Sequence, residues 1–271
     1  MLYRPSLWHG VTPVVYCRQL DVDDARRLYF RSIEQRGFDS LRLVAVVDSD
    51  IETLDSLIPQ ASAHIVDLSV RCSNISDRGL ERLLELMSSV VSLDLSGCNE
   101  LTEAGLWTAL SRPRIVQLSI SDCINVADDT VAAIAQLLPA LRELNLQAYH
   151  VTDAALALFA GPCTPTPGPA QTVAGVGVAT TTVRPLRTLR LHSCWEITNH
   201  GILNVVRTLP SLTELSLSGC SKVTDDGVEV IAENLRQLRV LDLSWCSRLS
   251  DASLEYIACD LGQLEELSLD R

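Results

Sequence analysis

The sequence predicts an α/β solenoid in which each coil adds one short strand to a parallel concave sheet and one helix to a convex layer. Two observations predict it. One phrase recurs: L-S-L-S-G-C-S-K-V-T-D-D-G-V at Leu215–Val228, L-D-L-S-W-C-S-R-L-S-D-A-S-L at Leu241–Leu254, and L-D-L-S-G-C-N-E-L-T-E-A-G-L at Leu93–Leu106. Its leading leucines stand at Leu68, Leu93, Leu118, Leu144, Leu189, Leu215, Leu241 and Leu267, spaced 25, 25, 26, 45, 26, 26 and 26 residues. A fixed period of this length marks coils that bury their apolar faces only by stacking on their neighbours.

Within a coil the strand comes first. Alternation turns Leu215 and Leu217 inward and presents Glu214, Ser216 and Ser218 to the concave surface. Cys98, Cys123, Cys194, Cys220 and Cys246 each follow a leading leucine by five residues. They mark one slot that suits a small buried hydrophobe with a weak donor. Val223 closes the turn, and Thr224 and Asp225 are placed to cap the helix that follows. Val228, Ile231, Ala232 and Leu235 then form a stripe at helical spacing. The same stripe recurs as Leu254, Ile257, Ala258 and Leu261, and as Val131, Ile134, Ala135 and Leu138, with Pro139 and Pro210 punctuating two helix ends. L-x-L with a later cysteine slot is the leucine-rich-repeat pattern, which implies a curved horseshoe.

Three places break the rhythm. The coils opening at Leu68 and Leu144 reach their turn residues, Ile75 and Val151, one residue early. The step of 45 holds one ordinary repeat plus about 19 further residues, within Gly161–Pro185. Pro, Gly and Thr without apolar period make that stretch an expected disordered loop. Residues 1–40 lack the motif and read as a separate leading segment. The repeats are expected over residues 41–271, with Leu41–Val47 as the strand of a degenerate first coil. The chain stops at L-S-L-D-R without a polar cap, so it is expected to be a piece of a longer protein.

Composition narrows the function. Hydrophobic residues make up 47% of the chain and aromatics only 4%, so the core is aliphatic. A net charge of −12 argues against nucleic acid and anionic membrane as partners. No apolar run reaches the roughly twenty residues that span a bilayer. The opening M-L-Y-R-P-S-L-W does not read as a signal peptide, and the cysteines read as free thiols of a reducing cytoplasmic or nuclear compartment. There is no phosphate-binding glycine loop, no H-E-x-x-H and no C-x-x-C. His9, His64, His150, His192 and His200 are scattered along the chain. The slot cysteines recur once per coil and do not gather as a zinc site requires. No catalysis, cofactor or metal is expected.

What remains is binding of a protein target by the concave sheet and its rim. Trp, Tyr and Arg dominate binding energy at such surfaces. Arg190 and His192 alternate with Leu189 and Leu191, and Arg190 is placed to take a partner's carboxylate. Trp245 stands where other coils carry Gly97, Asp122, Ser193 and Gly219; Trp195 follows a slot cysteine; Tyr149 lies in the neighbouring shortened coil. Tyr149, Arg190, His192, Trp195 and Trp245 are the candidate partner-binding residues of the concave face. The competing role for the aromatics is to cover apolar edges of the stack, and for Arg71 it is that of a solvated charge.

The repeat consensus L-x-L-x-x-C-x-x-h-T/S-D-x-G-L, h being apolar, covers residues 65–271 and resembles the cysteine-containing leucine-rich repeats of F-box proteins. N-E-L-T-E-A-G-L-W (Asn99–Trp107), S-D-C-I-N-V-A-D-D (Ser121–Asp129), Q-A-Y-H-V-T-D (Gln147–Asp153) and S-C-W-E-I-T-N-H-G (Ser193–Gly201) are similar to that family beyond the generic consensus. L-Y-R-P-S-L-W is similar to the tail of an F-box, with Leu2, Tyr3, Pro5, Leu7 and Trp8 as its remnant. The resemblance implies a substrate-recognition subunit of a Skp–cullin–F-box ubiquitin ligase. Most F-box helices would lie before Met1, so a Skp-type adaptor is expected to bind only where an upstream F-box is present. The repeats suit equally a free scaffold or inhibitor that transfers no ubiquitin.

Overall fold

Leading leucines of successive coils are paired one to one across the sheet. The structure is a computed structural model and describes residues 8, 10–17, 23–57, 64–111, 114–159 and 184–270. Strand and helix alternate as β1 (Val14–Tyr16), α1 (Asp23–Arg36), β2 (Ser40–Val44), α2 (Asp48–Leu57), β3 (Asp67–Ser69), α3 (Asp77–Leu86), β4 (Ser92–Asp94) and α4 (Glu103–Leu110). They continue as β5 (Gln117–Ser121), α5 (Asp128–Leu137), β6 (Glu143–Gln147), α6 (Asp153–Leu158), β7 (Thr188–His192), α7 (Asn199–Thr208), β8 (Glu214–Ser216), α8 (Asp225–Asn234), β9 (Val240–Asp242), α9 (Asp251–Asp260) and β10 (Glu266–Ser268). All ten strands form one parallel sheet in chain order. Leu41 lies opposite Leu68, Leu68 opposite Leu93, and the register carries on through Leu118, Leu144, Leu189, Leu215 and Leu241 to Leu267. Between sheet and helices runs one continuous, mainly aliphatic core.

The sheet starts earlier than the repeat motif. Val14–Tyr16 pairs with Arg42–Val44, and Phe30, Ile33 and Phe38 join the core, so the segment before residue 41 contains a strand and helix of the stack. The motif missed it because Val15, and no leucine, stands opposite Leu43. Trp8 packs on Phe38 with ring centroids 5.6 Å apart and lies under the Arg36 guanidinium at 4.9 Å. Leu2, Tyr3, Pro5 and Leu7 lie outside the described residues.

At the other end the expected stripe is only half buried. Val228, Ile231, Ala232 and Leu235 of the α8 coil are fully buried, whereas Leu254 of α9 is 42% exposed and Ala258 is exposed too. Among the described residues no further helix packs over α9, and Ile257 and Leu261 face inward alone.

Most of the expected loop, residues 161–183, lies outside the described residues. Its last two positions, Arg184 and Pro185, are described and depart from the expected disordered loop. Arg184 is buried, donating from Nη1 to the Ala135 carbonyl at 2.8 Å and from Nε to the Phe159 carbonyl at 3.0 Å. Its guanidinium stacks on the Phe159 ring at 5.6 Å, so the chain is clamped to α5 and α6 before β7 begins.

The two shortened coils lose their residue in different places. In the β3 coil Ser73 fills the cysteine slot, fully buried, and the residue is lost between slot and turn, where only Asn74 precedes Ile75. In the β6 coil Ala148 fills the slot and the residue is lost before it. The lost residue there is the left-handed one. Ala45, Cys72, Gly97, Asp122, Ser193, Gly219 and Trp245 all take positive φ, between 52° and 75°, at the equivalent place. That conformation turns the chain out of the strand, and for a bulky residue such as Trp245 it is costly.

Candidate functional site

Two ladders of side chains fix the concave face by locking each coil to the one before it. The first is the cysteine slot. Cys98 donates to the Val70 carbonyl at 3.0 Å, Cys123 to Leu95 at 3.3 Å, Cys220 to Leu191 at 3.1 Å and Cys246 to Leu217 at 3.1 Å. Each acceptor is the second inward residue of the preceding strand. Burial pushes the Cys98 thiol up to about 12 and those of Cys194 and Cys246 up to about 11, and it raises Cys123 and Cys220 too. A thiol held this far from ionisation is a poor nucleophile and a poor metal ligand. All described cysteines are free, and no metal-holding cluster occurs among the described residues.

The second ladder runs along the helix starts. Asp48 accepts from the backbone N–H of Ser76 at 2.9 Å and from its hydroxyl at 2.6 Å. Asp77 does the same for Thr102, Asp128 for Thr152, Asp153 for Thr198 and Asp225 for Ser250. The Asp225 carboxyl lies below its ordinary pKa, chiefly through the Ser250 N–H and then the Ser253 and Ser250 hydroxyls. Sequence reasoning placed Asp225 as a cap of its own helix; its carboxylate instead reaches forward into the next coil. Thr224 likewise makes no side-chain cap bond and pairs backward with Asn199, whose Nδ2 donates to its hydroxyl at 2.7 Å. Ser76, Thr152, Thr198 and Ser250 do cap their helices. The motif glycine now has a reason: a Cβ on Gly79, Gly105, Gly201 or Gly227 would collide with Asp48, Asp77, Asp153 or Asn199 of the preceding coil. One rung is missing. Ala127 brings no hydroxyl to the α4–α5 joint, and the Thr130 hydroxyl there is buried without a partner.

Against this scaffold the outward residues of β3–β9 form a polar trough of about 560 Å³, from Arg71 at one end to Trp245 at the other. Asp94 anchors one side of it. Ser96 donates to Asp94 from its N–H at 3.0 Å and its hydroxyl at 2.5 Å, Ser69 donates at 3.1 Å, and Arg71 Nε lies 3.5 Å away. Ser96 and Ser119 share a hydroxyl contact of 2.9 Å, and Asn145 Nδ2 donates to Ser119 at 3.2 Å. On the far side Asp242 accepts from Ser216 at 2.8 Å and from the Ser244 N–H at 3.0 Å. Burial opposes its ionisation most, but the bonds from Ser244 and Ser216 and the nearby His192 outweigh it and hold its pKa below the ordinary value.

The sequence-chosen residues divide. Arg190 and His192 do face outward from β7, and His192 lines the trough. Arg190 is already engaged: its Nε donates to Glu214 at 2.6 Å and its Nη2 lies 2.5 Å from the same oxygen, so it offers a partner's carboxylate little. Trp245 lines the trough and is 65% exposed. Tyr149 and Trp195 stand beyond the strand ends, on the rim and off the concave sheet, because the slot residues before them, Ala148 and Cys194, turn inward. Their rings pack with centroids 4.7 Å apart, tilted by 36°. Exposed Ile124 occupies the same place in the coil before. Sequence reasoning missed Ser119, Ser121, Asp122 and Asn145. Their signal was the run of small polar residues at alternate positions of consecutive strands.

The register, the period and the shared left-handed turn decide the architecture. The fold is a leucine-rich-repeat solenoid. A family model described as Leucine Rich repeat matches residues 61–84, 208–232 and 234–258. The fold is also similar to that of a chain in the crystal structure of the Rad7 and Elc1 complex in yeast, with a TM-score of 0.63 and 20% identity over 89% of this chain. This chain spans 60% of that chain's length. No helix among the described residues is long and apolar enough to cross a membrane.

Proposed function

We propose that this leucine-rich-repeat chain binds a protein target on its concave trough and rim. It serves there as the non-catalytic substrate-recognition subunit of a Skp–cullin–F-box ubiquitin ligase in the cytoplasm or nucleus, feeding proteasomal degradation. The observation that carries protein binding is the trough itself, a polar surface with Trp245 exposed in it and the Tyr149–Trp195 pair on the adjoining rim. Surfaces that combine exposed aromatics with hydrogen-bonding groups supply binding hot spots. The ligase assignment is supported by the strings at Asn99–Trp107, Ser121–Asp129, Gln147–Asp153 and Ser193–Gly201, which resemble the F-box leucine-rich-repeat family, most nearly its member F-box/LRR-repeat protein 16.

Affinity capture of the full gene product from cells tests it. Skp adaptor and cullin are expected to co-purify, together with a protein whose abundance rises when the cullin is inactivated. Capture of a partner without adaptor or cullin, and with no change in that partner's abundance, replaces the ligase reading with a non-degradative scaffold or inhibitor.

A further inference from the structure

Between Asn145 and Asp94 the hydrogen bonds of the trough run one way. Asp94 can only accept, and the Ser96 hydroxyl proton is committed to it at 2.5 Å. The 2.9 Å contact between Ser96 and Ser119 must therefore be donated by Ser119. Ser119, having given its proton, accepts from Asn145 Nδ2 at 3.2 Å. This orients the Asn145 amide and leaves its Oδ1 buried and without a partner. Bonds aligned in series polarise one another, so the acceptor at the open end of the row gains most from a new donor.

A second open group lies one strand away. Ser121 is only 7% exposed, its Oγ has no partner, and it lines the trough. Asp122 follows it, exposed, at a φ of 57°, and its carboxylate has no hydrogen-bond partner among the described residues. Ser121 and Asn145 belong to adjacent strands β5 and β6, whose axes run about 4.8 Å apart, and Ser121 lies two residues beyond Ser119, the residue opposite Asn145. Arg190 does not fill the gap. It is in register with Asn145 but turns the other way, to Glu214.

We propose that this end of the trough takes an arginine side chain from the protein partner, its guanidinium donating to Asn145 Oδ1, Ser121 Oγ and the Asp122 carboxylate. Asn145 Oδ1 and the Asp122 carboxylate call for donors, and the Ser121 hydroxyl can accept one. Guanidinium carries five N–H donors and no acceptor, in a planar fork wide enough to bridge neighbouring strands. A chain of net charge −12 also favours a basic partner segment. Trp245, at the other end of the same trough, gives that segment an apolar anchor.

The inference rests on the concave face being the protein-binding face. Its probe is a single capped residue, so its failure would remove the arginine site and leave the ligase reading to adaptor capture. Residues 1–271 are titrated with N-acetyl-arginine methylamide and with its uncharged citrulline counterpart, followed by the Asn145 side-chain amide and the Ser121 and Asp122 backbone amide resonances. Saturable shifts at these positions are expected for arginine, with citrulline at least about tenfold weaker. Asn145→Leu and Ser121→Val are each expected to weaken arginine by about tenfold at an unchanged melting temperature. Should Asn145→Leu perturb the fold, Ser121→Val and Asp122→Asn carry the test. Equal binding of citrulline, no saturable shift, or shifts that survive these substitutions would each overturn the proposal.

Discussion

Along the helix starts, Asp48, Asp77, Asp128, Asp153 and Asp225 each commit both carboxylate oxygens to the cap residue of the next coil. Across the concave face, Asn145 and Ser121 keep a buried oxygen without any partner. Both regions are built from the same small polar residues at the same period, and they differ in closure. A closed rung fixes the spacing and rotation of one coil on the next. An open group costs the fold desolvation free energy and returns nothing to it, and the helix-start ladder carries one as well, the Thr130 hydroxyl at the joint that Ala127 leaves open.

The comparison breaks most visibly in the interior. Burial raises the slot thiols to about 12 at Cys98 and about 11 at Cys194 and Cys246, against 9.0 for an ordinary thiol. The folded state therefore holds these protons more tightly than the unfolded chain. Their stabilisation is complete below about pH 9 and is lost as the pH rises toward 11 to 12, by up to about 1.4 kcal/mol per thiol per pH unit. Urea midpoints are expected to fall steeply over that window, and serine at Cys98, Cys194 and Cys246 is expected to flatten the fall. A slope indifferent to those three substitutions would show that the slot does not control it.

The helix-start ladder should break next. Gly105→Ala drives a methyl group into the Asp77 carboxylate and displaces it from Thr102, at a cost of about 2 kcal/mol after the helix gains from alanine. Equilibrium unfolding measures it. A neutral result would mean the carboxylate has room to move and the rung is not closed.

The smallest effect sharpens the contrast. Ser121→Ala removes an oxygen that bonds to nothing in the chain, so stability should change by no more than about 0.5 kcal/mol or rise slightly. A loss of more than about 1 kcal/mol would mean that the hydroxyl has a structural partner and that the concave face is closed as well.

Much of this was legible in the residues themselves. The spacing of leading leucines gave the register of β3–β10, and the spacing of Cys98, Cys123, Cys194, Cys220 and Cys246 gave one buried slot. Trp245 was visible as an odd occupant of a position held elsewhere by glycine, and its left-handed backbone accounts for that position. β1 was hidden because Val14–Tyr16 carries none of the repeat motif. The burial of Arg184 was hidden because its partners, Ala135 and Phe159, lie 49 and 25 residues back along the chain. The division among the candidate aromatics was hidden too, since Tyr149 and Trp195 leave the concave sheet only through the inward turn of Ala148 and Cys194.

The sequence by itself determined the coil, its period and its inward residues, because alternation along a strand and 3.6-residue spacing along a helix are local geometry. Only the tertiary structure decided what each polar residue is for. Asp225 serves Ser250 rather than its own helix, Arg190 closes on Glu214, and Asn145 presents its carbonyl oxygen because Ser119 takes its amide. The first two of those partners lie 24 or 25 residues away in sequence and the third 26, one coil along, and a hydrogen bond is directed only once the neighbouring coil is in place.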